Sequence, residues 1–184
     1  MKSSRFIGAL CAVLLATPAA WAKKKPADFS LLKGNYTGTV VLSDNGAVAA
    51  SGTSTISFRV PKSGKTAVAT VNGALVYPGG TVYSLAATFN FTATAFTLDD
   101  VNLHLDGSTT APDTAPSTLK STRRFATISG AGPFIYHATS NTIQCLAEVT
   151  PKGKNRKQLI FTYTLSGSGI TNSYLFVVTA KVRK

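Results

Sequence analysis

Runs in which every second residue is apolar follow one another along most of this chain, and a pleated strand is the element whose side chains alternate between two faces in that way. Ile56, Phe58 and Val60 alternate with Thr55, Ser57 and Arg59, and Leu85, Ala87, Phe89 and Phe91 alternate with small or polar neighbours. Near the C-terminus Leu159, Phe161, Tyr163 and Leu165 repeat the pattern, with Ile160 intruding on the polar face. From Phe29 onward the chain is rich in Thr, Val, Ser, Ala and Phe and poor in Glu, Gln and Leu. β-branched and aromatic side chains keep more rotamer freedom in strands than in helices, so composition and periodicity agree.

Clusters of glycine and proline punctuate these runs: Asp44-Asn45-Gly46, Pro61 to Lys65, Pro78-Gly79-Gly80, Gly130-Ala131-Gly132-Pro133 and Pro151 to Asn155. Glycine supplies positive φ and proline fixes φ, which marks each cluster as a turn. Eleven strands are predicted, at 35–43, 51–60, 66–77, 81–92, 94–98, 100–105, 122–129, 134–140, 142–150, 157–167 and 172–183. Several are separated by only a few residues, which favours antiparallel neighbours over crossover connections. The expected fold class is all-β, a single antiparallel domain forming a meandering β-barrel or a β-sandwich. A single helical turn is expected over 27–32, ahead of the first strand. The stretch 106–121, rich in Ser, Thr and Pro, reads as a long irregular loop.

The first 22 residues read as a secretion signal. Lys2 and Arg5 precede an apolar run from Phe6 to Ala20, which is too short to span a bilayer, and Ala20-Trp21-Ala22 is a small-x-small cleavage site. Cys11 is preceded by Leu10 rather than by a small residue, so lipid attachment there is not expected. The expected mature domain is 23–184, secreted or periplasmic, opening with a basic arm over 23–28. No transmembrane segment is expected in it. Without Lys2 and Arg5 it carries 19 − 2 = 17 basic residues against 7 acidic ones, a formal charge of +10. Its one remaining thiol, Cys145, leaves no internal disulfide, so stability rests on the core, where Cys145 is read as a small buried hydrophobe.

Few groups are available for chemistry. Four of seven carboxylates lie between Asp99 and Asp113, and within that stretch Asp100, Asn102, His104 and Asp106 alternate with Val101, Leu103 and Leu105. On a strand such a row shares one face, and i, i+2 spacing presents two ligands to a metal, which makes Asp100, His104 and Asp106 the metal candidates. The competing reading is the solvated side of a half-buried strand. His137 reads as a hydrogen-bonded structural histidine. No nucleophile elbow, phosphate-cradling loop, paired-cysteine zinc pattern or zinc-protease helix is present, so no catalytic residue is assigned and no cofactor is expected.

The basic excess gathers at Lys152, Lys154, Arg156 and Lys157 and at Arg123 and Arg124, which are the candidate polyanion-binding residues. Aromatic side chains are not interleaved with these charges, which argues against single-stranded nucleic acid as partner. The expected function is a non-enzymatic binding protein holding a hydrophobic or amphiphilic ligand, lipid-like in character, or an anionic envelope polymer such as lipopolysaccharide or an acidic glycan. A cell-surface interaction module without a ligand pocket is the alternative.

Overall fold

The computed structural model describes residues 28–102, 114–136 and 139–182. The alternating runs form ten strands: β1 Gly34–Asp44, β2 Ala47–Arg59, β3 Ala67–Val76, β4 Val82–Phe91, β5 Ala95–Asn102, β6 Ala115–Ser121, β7 Ala126–Tyr136, β8 Thr139–Pro151, β9 Arg156–Gly167 and β10 Ile170–Lys181. Each pairs antiparallel with the strands before and after it, and β1 pairs with β10, so the sheet closes into a barrel rather than folding over as a sandwich. Closure removes both edges of the sheet, which otherwise expose unpaired backbone groups.

Alternation decides the two faces of the wall. Tyr36, Phe58, Phe89, Phe91, Phe161, Tyr163, Tyr174 and Phe176 are buried inside, while their sequence neighbours face outward. The rings form a column along the barrel. Tyr36 meets Phe58 edge-on at 6.3 Å, Phe58 and Phe89 each meet Phe161, and Tyr163 stacks on Tyr174 at 4.6 Å. Ile160, which interrupts the apolar register in sequence, faces outward and is exposed, and Cys145 is a buried free thiol as its flanks imply.

Tight turns match their residues. Asn45 and Gly46 both take positive φ, as do Ser168 and Gly169, the geometry of two-residue hairpins whose twist suits the flanking strands. Asn45 also ties two hairpins together, its amide nitrogen donating to Thr171 O and its side-chain oxygen accepting from Thr171 N. A 3-10 turn at Ser30–Leu32 stands where a single helical turn is expected, and Phe29 and Leu32 beside it are completely buried.

Three sequence expectations give way. Ala115–Ser121 is β6 rather than part of a loop over 106–121, while 106–113 lies outside the described residues. The predicted strands at 94–98 and 100–105 merge into β5, and those at 122–129 and 134–140 merge into β7. The glycines read as a turn at 130–133 are needed within β7 because β6 crosses so closely: a Cβ on Gly130 would stand 2.2 Å from the Pro116 carbonyl oxygen. Pro133 falls where the ladder to β6, which runs from Ser121↔Ala126 to Ser117↔Gly130, has ended.

Gly52 in β2 is an equally tight point, since a Cβ there would lie 1.8 Å from the Ala74 carbonyl oxygen. Backbone cannot yield as a side chain does, so Gly52→Ala should cost about 1–3 kcal/mol, the usual range for overpacking. Denaturant unfolding measures it, and an unchanged midpoint would contradict the close approach of β2 and β3.

Candidate functional site

In an up-and-down barrel alternate connections fall at the same end. The end where β1 begins, called here the near end, receives the β2–β3, β4–β5, β6–β7 and β8–β9 connections and the finish of β10. All twelve lysines and arginines among the described residues lie at that end. Arg123 and Arg124 occupy the β6–β7 turn, Lys152 and Lys154 the β8–β9 turn, and Lys62 and Lys65 the β2–β3 loop. Arg59, Lys120, Arg156, Lys157 and Lys181 sit within the last or first two residues of their strands, and Lys33 immediately precedes β1. Their register brings the β6–β7 turn, the β8–β9 turn and the finish of β10 into one arc of the rim, where Val182 N donates to Asn155 O at 2.9 Å.

Acidic groups are distributed differently. Asp44 lies at the far end, Asp99 and Asp100 midway along β5, Glu148 three residues inside the near end of β8, and Asp28 at the near end, where one carboxylate oxygen accepts from Ser30 N at 2.9 Å. Charge is therefore graded along the barrel axis, and a field of one sign at a single end orients and concentrates polyanions.

Of the six candidate cations, five are exposed and one is turned inward. Arg123, Arg124, Lys152, Lys154 and Arg156 reach solvent. Lys157 instead donates its ammonium to the carbonyl oxygens of Leu31, at 2.9 Å, and of Lys33, and sits 5.3 Å from the centre of the Tyr36 ring. Burial lowers its pKa to about 8. The ammonium satisfies carbonyls at the C-terminal side of the 3-10 turn, a position that suits a cation. Tyr36 Oη donates to the remaining carbonyl, Leu32 O, at 2.7 Å, and Phe29 N donates to Gly64 O. Residues 28–33 thus form a plug across the near end, and Lys157 is its clamp.

Among the described residues the interior offers no comparable site. Ring contacts of 4.6–6.4 Å run through it. One surface depression lies on the outer wall beside Ser129, Gln144, Leu146 and Thr164, and another at the near-end rim beside Asn155, Arg156, Lys181 and Val182. Among the described residues two buried polar atoms, Ser54 Oγ and Tyr163 Oη, have no hydrogen-bond partner.

The acidic row is only partly within view. Asp100 and Asn102 belong to β5, whereas His104 and Asp106, and likewise His137, lie outside the described residues. Thr88 pairs with Asp99 and Ala86 with Asn102, so β5 spends three steps where β4 spends two. That extra step is a β-bulge in the β4–β5 ladder. Among the described residues no group of three His, Cys, Asp or Glu side chains is assembled for a metal, and no helix is long and apolar enough to cross a membrane.

Sequence reading located the Arg123/Arg124 and Lys152–Lys157 clusters but missed that Arg59, Lys62, Lys65 and Lys120 share their end of the barrel. The signal that would have found them is strand parity. No protein-family model matches the chain, and no curated protein matches it.

Proposed function

We propose that this protein is exported and acts, without catalysis, as a binding protein for anionic polymers of the cell envelope, such as lipopolysaccharide or acidic glycans. The observation that carries this reading is the collection of all twelve described cations at one barrel end. The densely packed aromatic column favours a surface site over a ligand held inside, because an interior ligand needs a cavity and apolar contacts already fill the space.

Binding of a soluble polyanion such as heparin, measured against salt, tests it. Affinity should fall linearly on a log–log plot as salt rises. Arg123→Gln with Arg124→Gln, or Lys152→Gln with Lys154→Gln, should weaken binding and reduce the slope by about two, one per lost contact. Lys157→Gln should leave the slope unchanged, because its ammonium is engaged with Leu31 O and Lys33 O. Salt-independent binding, or none, would overturn the proposal.

A further inference from the structure

Two of the exposed large apolar side chains belong to the cationic rim itself. Phe125, 38 % exposed, closes the β6–β7 turn directly after Arg123 and Arg124, and Val182, 47 % exposed, follows Lys181 beside the β8–β9 turn. The β6–β7 turn is preformed. Thr122 N donates to Phe125 O at 2.8 Å, and Thr122 Oγ1 accepts from Arg124 N at 3.2 Å and Phe125 N at 3.3 Å. The aromatic ring is therefore partly exposed on a hydrogen-bonded turn that carries two guanidinium groups. The phosphate, sulfate or carboxylate groups of a polyanion make no use of such a ring. A bilayer with anionic headgroups does, because cations settle among the phosphates while an aromatic side chain enters the interfacial layer beneath them.

From this juxtaposition we infer that the anionic partner is a lipid surface, on which the barrel stands end-on with Phe125 inserted and Arg123, Arg124, Lys152 and Lys154 among the headgroups. The inference rests on the proposed polyanion reading and adds the partner and the orientation. Charge complementarity selects the near end. The far end exposes Val48, Val82 and Ile170 as well, but none of the described cations lies there, so nothing at that end draws it to an anionic surface.

Vesicles of phosphatidylcholine, with and without phosphatidylglycerol, test it by co-sedimentation alongside heparin binding. Purified protein should sediment with the anionic vesicles and not with the neutral ones. Phe125→Ser should weaken vesicle binding about tenfold, the loss of one partly buried aromatic side chain, while leaving heparin affinity unchanged. Phe125 lies in an exposed turn, and an unchanged circular dichroism melt verifies that the variant folds. The emission of Phe125→Trp should shift to the blue on adding anionic vesicles, and that of Tyr83→Trp, at the far end, should not. Heparin binding without vesicle binding, or a blue shift at Tyr83→Trp instead of Phe125→Trp, would overturn the membrane inference while leaving the polyanion reading in place. Binding to neither would overturn both.

Discussion

Replacing Phe161 with alanine will lower the unfolding free energy by about 3–5 kcal/mol, the range for removing a fully enclosed aromatic ring. Phe161 is wholly buried and meets Phe89 at 5.0 Å, Phe176 at 5.8 Å, Tyr163 at 6.1 Å and Phe58 at 6.4 Å. These partners come from β2, β4, β9 and β10, so the ring joins opposite walls of the barrel. Its loss removes apolar burial and several aromatic contacts at once, and the closed wall cannot collapse far into the gap. Total stability of a domain is of order 5–15 kcal/mol, so the variant should unfold at much lower denaturant concentration. Ile160→Ala, one position away but outward-facing, should change stability little. Equal losses for the two variants would refute the assigned strand faces.

Alkaline pH should unfold the protein cooperatively, and the sign follows from which state binds more protons. Burial pushes the phenols of Tyr36, Tyr163 and Tyr174 and the thiol of Cys145 upward. These acids stay protonated in the folded chain after the unfolded chain has lost its protons, so stability falls as pH rises above about 8.5 for the thiol and about 10 for the phenols. Lys157 acts in the opposite sense. With its folded pKa lowered to about 8, the unfolded state binds the extra proton between there and the ordinary lysine value, so this residue adds stability with rising pH. One thiol against one ammonium nearly cancels, which leaves stability flat up to about pH 10. Above that the three phenols act together.

Phenolate absorbance from these three tyrosines should then appear together with loss of the β-sheet circular dichroism signal. Tyr163→Phe should raise the alkaline midpoint without a penalty at neutral pH, because Tyr163 Oη is buried without a hydrogen-bond partner. Ionisation of the buried phenols in a protein that remains folded would contradict the assigned burial.

Alternation made the strands and their inner faces legible in the sequence because burial on one side of a pleat leaves a period of two. Closure was not legible, since it depends on β1 meeting β10, a pairing between segments more than 100 residues apart that leaves no local pattern. β6 escaped notice because Ala115 to Ser121 is short, begins with Ala-Pro-Ser, and is held by its neighbours more than by its own propensity. Splitting β5 and β7 in two while omitting β6 also scrambled the count of reversals. On that count the Lys152–Lys157 turn falls at the opposite end from Lys62 and Lys65, whereas the observed order brings them together. The charge clusters were visible, but their convergence waited on the correct number of strands. The exposed Phe125 beside Arg124 carried no signal of its own, because an apolar residue after a basic pair is equally consistent with the start of a buried strand.

Among the described residues β5 and β6 pair at Ala95↔Pro116 and Phe96↔Ala115, with Ser117 adding a bond from its amide to Thr94 O, and each of the other nine junctions is held by at least five paired positions. A ring in which each strand is paired on both sides offers no flank from which to peel, so its amides should exchange with solvent through opening of the whole cylinder rather than by fraying strand by strand.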